Sequence, residues 1–205
     1  MNNDDIIGLL NRMRDGEDAA FEELYQATKQ DLYRTVCMLM GSRQHAVEVT
    51  NEIYVQVWKS FRTYRPGTPF RNWLHGVALR QISSFRQMQF LRWRIFSSSK
   101  HTADPVINAS EQPVLQQEAR DEMMRQISRL SEKLRVVLVL RYYQEYSFKE
   151  IAQLLEISLG TVKSRHHAAL QKLKKQLGQR PGQEESYHVY RTSHSPIPAQ
   201  LQQPD

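Results

Sequence analysis

The chain has 205 residues, of which 40% are hydrophobic and 24% charged, enough material for one medium core or two small ones. A net charge of +6 suits a polyanionic partner. The single cysteine, Cys37, excludes an internal disulfide, and no apolar run approaches the roughly 18 residues needed to cross a bilayer, so a soluble cytoplasmic protein is expected.

From Asp18 to Met40 the residues Phe21, Leu24, Tyr25, Leu32, Val36, Leu39 and Met40 follow helical spacing, and Gly41 supplies a stop. Cys37 falls inside this helix as a small core residue. A second helix is expected from about His45 to Phe61, with Val49, Ile53, Val57 and Phe61 as its buried stripe and Glu48, Asn51, Glu52 and Gln56 on the opposite face. The segment from Tyr64 to Pro69 contains Pro66, Gly67 and Pro69 and must be a loop. A long helix follows from about Phe70 to Phe96, with Trp73, Leu74, Val77, Ala78, Ile82 and Phe85 inward.

Charge is distributed unevenly over this half. No Asp or Glu occurs from Ile53 to Ala103, whereas Lys59, Arg62, Arg65, Arg71, Arg80, Arg86, Arg92, Arg94 and Lys100 do, interleaved with Tyr64, Phe70, Trp73, Phe85, Phe90 and Trp93. Cations beside exposed rings suit single-stranded nucleic acid, because arginine holds the backbone while rings stack on unpaired bases. Trp73 and Phe85 are expected in the core; for Tyr64 and Phe70, in or beside the loop, core and ligand roles stay open.

Ser97 to Pro113 is Ser-rich, broken by proline and without periodicity, which fits a flexible linker between two helical domains. Helical patterning resumes from Glu118 to Tyr143, with a break near Ser131. Ser147 and Glu150 then form a capping box for a short helix, Glu156-Ile157-Ser158 makes a turn, and Ser158 caps a second helix. In that helix Val162, His166, Ala169, Leu173 and Leu177 recur on the core side, leaving Lys163, Ser164, His167, Ala168, Gln171 and Lys174 outward. This is a helix-turn-helix pattern, suited to placing a basic helix in a DNA major groove. No acidic residue occurs from Leu159 to Gln183, so phosphates meet an unopposed positive field. Beyond Leu177 the tail lacks periodicity, and disorder is expected over 178–205.

The fold expected is therefore all-α: two small helical domains, 1–96 and 114–177, joined by a flexible linker at 97–113, the second domain carrying the helix-turn-helix. No catalytic cluster or cofactor motif is present, and the adjacent His166 and His167 point to different faces and cannot chelate a metal together, so neither an enzyme nor a metal site is expected.

Three motifs, in order, resemble those of the extracytoplasmic-function sigma factors, the smallest group of the sigma-70 superfamily. His45 to Glu52 followed by Val57-Trp58 resembles the family's acidic helix. Phe70-Arg71-Asn72-Trp73-Leu74 with Val77-Ala78 resembles its F-R-x-W-L-x-x-I-A. Leu130 to Lys133, Val139 to Tyr142 and Gly160 to Arg165 resemble its helix-turn-helix domain.

The resemblance implies a transcription initiation factor that binds core RNA polymerase and directs it to promoters, with an anti-sigma protein as a further expected partner. It implies that Glu48, Asn51, Glu52 and Gln56 dock on the polymerase clamp. Tyr64, Arg65, Phe70, Arg71, Arg80 and Arg86 would engage the melted minus-10 element. Ser158, Thr161, Lys163, Ser164, Arg165, His167 and Gln171 would engage the minus-35 duplex, with Lys163, Ser164 and His167 toward base edges and Thr161 and Arg165 toward phosphate. The chain departs from the family pattern at Ala168, commonly arginine, which removes a possible contact, and at Arg80 and Ser84 in the long helix. Val47 and Val49 stand at acidic and leucine positions, thinning the clamp-binding charge. Two rivals make different demands: an autonomous helix-turn-helix repressor or activator requires a dimer surface, and a nucleic-acid-modifying enzyme requires a catalytic cluster.

Overall fold

The computed structural model describes residues 2–41, 43–96 and 123–178. The linker expected at 97–113 and the tail beyond Gly178 lie outside them. Among the described residues the architecture is all-α, as the sequence predicts.

The chain opens with a helix that sequence periodicity did not single out, α1 (Asn3–Arg14). Asn2 and Asp5 form a reciprocal capping box at 2.8 and 3.0 Å, and Ile6, Leu9, Leu10 and Met13 make the buried stripe. Arg12 joins this helix to the next by pairing with Glu17 and with Glu23, the latter at 2.9 Å. The long helix α2 (Asp18–Met40) ends at Gly41, whose φ of 70° lets its N–H reach the Cys37 carbonyl at 3.0 Å.

Helix α3 (Ala46–Ser60) buries Val49, Ile53 and Val57 as expected, together with Ala46, Thr50 and Tyr54. Each large apolar side chain so buried contributes roughly 1.5–3 kcal/mol. A 3₁₀ turn (Phe61–Thr63) leads into the loop, and α4 (Phe70–Phe96) begins where the Phe70 N–H donates to Asn3 Oδ1 at 2.9 Å.

In the second half, α5 occupies 123–128 and breaks before Ser131, and α6 (Glu132–Leu138) follows. It passes into a π-helical turn (Val139–Tyr143) that closes when the Gln144 N–H reaches the Val139 carbonyl at 3.1 Å. Then come α7 (Phe148–Leu154), with the expected Ser147–Glu150 capping box, and α8 (Leu159–Gly178). Glu156, in the turn between them, adopts a left-handed φ of 54° that allows the Ile157 N–H to reach the Ala152 carbonyl at 3.0 Å.

The two halves are not merely tethered. One continuous core joins α1–α4 to Val136, Val137, Val139, Leu140, Tyr146, Ile151 and Val162 of the second half, and a smaller cluster of Leu130, Leu134, Leu138 and Ala169 lies under α8. Arg135 caps across the junction: its guanidinium donates to the Leu39 carbonyl at the end of α2 (3.2 Å), and to the Ser128 and Leu130 carbonyls (2.6 and 2.9 Å).

Candidate nucleic-acid interface

The helix-turn-helix is built as its residues dictate. Ser158 Oγ accepts from the Thr161 N–H at 3.1 Å and fixes the start of α8, while Ile157 packs against the core at the turn. Val162 and Ala169 are buried beneath the helix. That burial turns Lys163, Ser164, His167 and Gln171 outward, with Ser158 exposed at the helix start and Thr161 and Arg165 half-buried at the flank. Ala168 is exposed among them, a small side chain in the middle of a basic surface. His166 and His167 separate as expected. His167 faces solvent, whereas the His166 ring stacks on Tyr142 and Nε2 lies 2.9 Å from its hydroxyl, with Phe148 edge-on at 5.0 Å. Partial burial, with Arg141 near, pushes the His166 pKa down and favours the uncharged ring.

The second cluster, on the loop and α4, is arranged differently from the expectation. Arg65, Arg71 and Arg80 are exposed, but Tyr64 and Phe70 are core residues at 3% and 0% exposure. The loop is short and folds back on itself: the Tyr64 hydroxyl donates to the Thr68 carbonyl at 2.7 Å, and Tyr64, Phe70 and Trp73 form a mutual ring cluster with centroids 5.5–5.8 Å apart. Neither Tyr64 nor Phe70 presents a face on which a base could stack in this arrangement. Arg86 is also engaged, donating to the Leu39 carbonyl at 2.6 Å and pairing with Glu132.

Arg71 lies at the junction of the two halves. Its Nε donates to Gln144 Oε1 at 3.1 Å and its guanidinium stands 4.6 Å from the Tyr146 ring centroid. Gln144, buried, also donates to Thr35 Oγ1 at 2.6 Å and to Asp31 at 3.1 Å. Beside it His75 Nδ1 is 2.8 Å from the Tyr146 hydroxyl. Burial, with the Arg71 charge adding to it, lowers the His75 pKa to about 4. The π turn places Gln144 and Tyr146 here.

The third group lies on α3. Glu48, Asn51 and Glu52 are exposed, and Gln56 is half-buried. The structure adds apolar neighbours that the charge pattern did not signal: Val47, Val55 and Trp58 are exposed on the same helix. Val55, Trp58 and Asn51 border a shallow groove completed by Phe21, Glu22 and Tyr25 of α2, with the Phe21 and Trp58 rings edge-to-face at 4.9 Å. Val49, by contrast, is buried and serves as an ordinary core residue. The usable signal in the sequence was Trp58, an aromatic residue at the end of a polar helix face.

Two family models fall on the two halves, Sigma-70 region 2 over residues 24–89 and Sigma-70, region 4 over residues 127–175, which defines a chain of the sigma-70 class. Among curated proteins, the ECF RNA polymerase sigma factor SigW of Bacillus subtilis is 25% identical over 178 residues, covering 82% of this chain and 94% of that one. SigK of Mycobacterium sp. (strain KMS), another ECF RNA polymerase sigma factor, is 27% identical over 177 residues, covering 85% and 91%. The sigma factor RpoE of Bartonella quintana, solved in complex with the anti-sigma factor NepR, shares the fold, with a TM-score of 0.63 at 17% identity over 78% of this chain and 97% of that chain. The chain belongs to the sigma-70 family, and the curated relatives to which it is similar are extracytoplasmic-function sigma factors. It is a promoter-recognising transcription initiation factor, and the autonomous repressor or activator is not favoured.

Proposed function

We propose that the chain divides promoter recognition among its three surfaces, with Lys163, Ser164 and His167 of α8 directed at base edges of the minus-35 duplex. Ser158, Thr161, Arg165 and Gln171 hold the adjacent backbone. The observation that carries this assignment is the outward, acid-free face of α8 beside a doubly capped turn, since a helix entering the major groove needs short polar and cationic side chains unopposed by carboxylates.

Arg65, Arg71 and Arg80 supply the minus-10 contacts, acting on the phosphate backbone. Arg71 does so fully, and Arg86 joins them, only when the second half leaves its present seat on α2 and α4, because both are engaged across that junction. Tyr64 and Phe70 support the loop from within and reach DNA only if it opens. Glu48, Asn51, Glu52 and Gln56 dock on the clamp of core RNA polymerase, with Val47, Val55 and Trp58 adding apolar contact.

In this reading residues 1–96 and 114–177 are the working domains, 97–113 connects them, and 178–205 is a tail. The protein acts in the cytoplasm, where its DNA and polymerase are. Chemistry belongs to the polymerase, and the chain has neither catalytic activity nor cofactor of its own. An anti-sigma protein is a further partner, a reading supported by the structurally similar RpoE of Bartonella quintana having been solved with one. Affinity capture of purified core polymerase by wild type and by Glu48→Lys/Glu52→Lys tests the assignment. Capture lost in the variant supports it, and unchanged capture places the docking face elsewhere.

A further inference from the structure

The loop over 64–70, which carries Arg65, is held from outside as well as from within. Pro69 precedes α4, and its carbonyl accepts from the Asn72 N–H at 2.9 Å and the Trp73 N–H at 3.4 Å. A proline offers no side-chain acceptor to the unpaired N–H groups of the first helical turn. Asn3 of α1 supplies one, its Oδ1 accepting from the Phe70 N–H at 2.9 Å. The same side chain hydrogen-bonds the Tyr64 side chain. At the start of the loop Arg14, from the last turn of α1, donates through Nη2 to the Tyr64 carbonyl at 3.2 Å, while its Nη1 donates to Asn11 Oδ1 at 2.8 Å.

Both ends of the loop are thus tied to one helix, at residues roughly 16 Å apart along its axis. Helix α1 is a firm support, because Ile6, Leu9, Leu10 and Met13 are buried in the shared core. Between the ties the hydrogen bond from Tyr64 to the Thr68 carbonyl closes the loop on itself, with Arg65 exposed upon it. A contact residue on a loop binds more tightly when the loop is ordered beforehand, since less conformational entropy is lost on association. The region-2 match begins at residue 24 and so assigns nothing to α1.

We propose that Asn3 and Arg14 are positioning residues for promoter recognition: they hold the two ends of the 64–70 loop on α1 and so keep Arg65 aimed at the backbone of the melted minus-10 strand. The proposal rests on the reading of this loop as a minus-10 contact. Asn3 and Arg14 act through Arg65 and need not touch DNA themselves. Without the ties the loop samples other conformers, and the fraction competent to bind falls.

The test uses the full chain bound to core RNA polymerase and two templates cut from a promoter selected by this chain: a fork with the minus-10 strand unpaired, and a duplex that ends upstream of it. Asn3→Ala/Arg14→Ala should lose roughly five- to tenfold in fork affinity, with truncated-duplex affinity and polymerase capture unchanged. Asn3→Asp, which keeps an acceptor for the Phe70 N–H, should stay nearer wild type than Asn3→Ala. Arg65→Ala should weaken fork binding by the wild-type chain yet add less than about twofold to the loss in the Asn3→Ala/Arg14→Ala background, because the two losses share one cause. Unchanged fork affinity, an equal loss on both templates, or fully additive losses overturns the proposal. If the double variant fails to fold, Asn3→Ala is set against Asn3→Asp, and equal fork affinity of the two is the contrary result. Amide exchange over 65–70 in the free chain separates the two readings. Arg65→Ala without effect on fork binding removes the minus-10 assignment of the loop, whereas exchange unchanged by Asn3→Ala/Arg14→Ala removes the anchoring.

Discussion

His75 of α4 and Tyr146 of the second half meet with Nδ1 and the hydroxyl 2.8 Å apart, and both side chains are almost fully buried. The contact joins the helix that carries Arg71 to the turn that leads into the helix-turn-helix. An imidazole there must be uncharged, which makes the junction sensitive to acid.

The sign follows from the two protonation equilibria. Folded His75 has a pKa near 4 against an ordinary 6.5, so between those values the unfolded chain binds the extra proton. Stability contributed by neutral His75 is intact above pH 6.5 and is lost as the pH falls toward 4, by at most roughly 3 kcal/mol. Urea denaturation at pH 7 and pH 5 should show wild type losing more stability than His75→Gln. Equal pH dependence would remove His75 from the account.

Gln144 is buried and bonded to Thr35, Asp31 and Arg71. Gln144→Ala leaves their polar atoms without this partner and is expected to cost about 1–3 kcal/mol in chemical denaturation. Gln144→Glu should also destabilise, because it places a carboxylate beside Asp31 while losing the amide donor.

Backbone strain gives a pair of opposite outcomes. Glu145 and Glu156 hold left-handed φ values of 57° and 54°, where a side chain costs energy that glycine avoids. Glu156→Gly, at an exposed turn, should stabilise by about 1 kcal/mol, part of the gain being offset by unfolded-state entropy. Gly41→Ala should destabilise by roughly 1–2 kcal/mol or more, since φ is 70° and the new methyl would collide with the Arg135 guanidinium, which its three carbonyl bonds hold in place. Thermal melts of the two variants should move in opposite directions.

The division of labour predicts separable defects. Lys163→Ala/His167→Ala should impair promoters through the upstream element by roughly 1–3 kcal/mol per lost base contact while leaving polymerase capture intact. Paired template competition and capture assays measure both. Loss of capture in this variant would mean that the exposed face of α8 serves the polymerase and not the promoter.

Local chemistry was legible where short-range patterns decide the outcome. The four-residue spacing of Val49, Ile53 and Val57 specified the buried side of α3, and Ser147 with Glu150 specified the start of α7. The outward face of α8 followed from the spacing of Val162, His166, Ala169, Leu173 and Leu177. What stayed hidden depends on distance in sequence. Gln144 and Asp31 are 113 residues apart, and neither carries a pattern that announces the other. The burial of Tyr64 and Phe70 depends on a ring cluster with Trp73, which composition cannot distinguish from an exposed aromatic loop. The π turn has no sequence signature here, yet it carries Gln144 and Tyr146 to α2 and α4. Helix α1 could have been found from Asn2, Asp5 and the spacing of Ile6, Leu9, Leu10 and Met13.

Run-off transcription on a template bearing a promoter selected by this chain tests the central claim most directly, with core RNA polymerase, the purified protein, or both. Specific initiation only when the two are combined, with the protein alone binding the promoter duplex weakly, is the result predicted. Tight sequence-specific duplex binding by the protein alone, with no gain in specific initiation by the polymerase, would contradict the account.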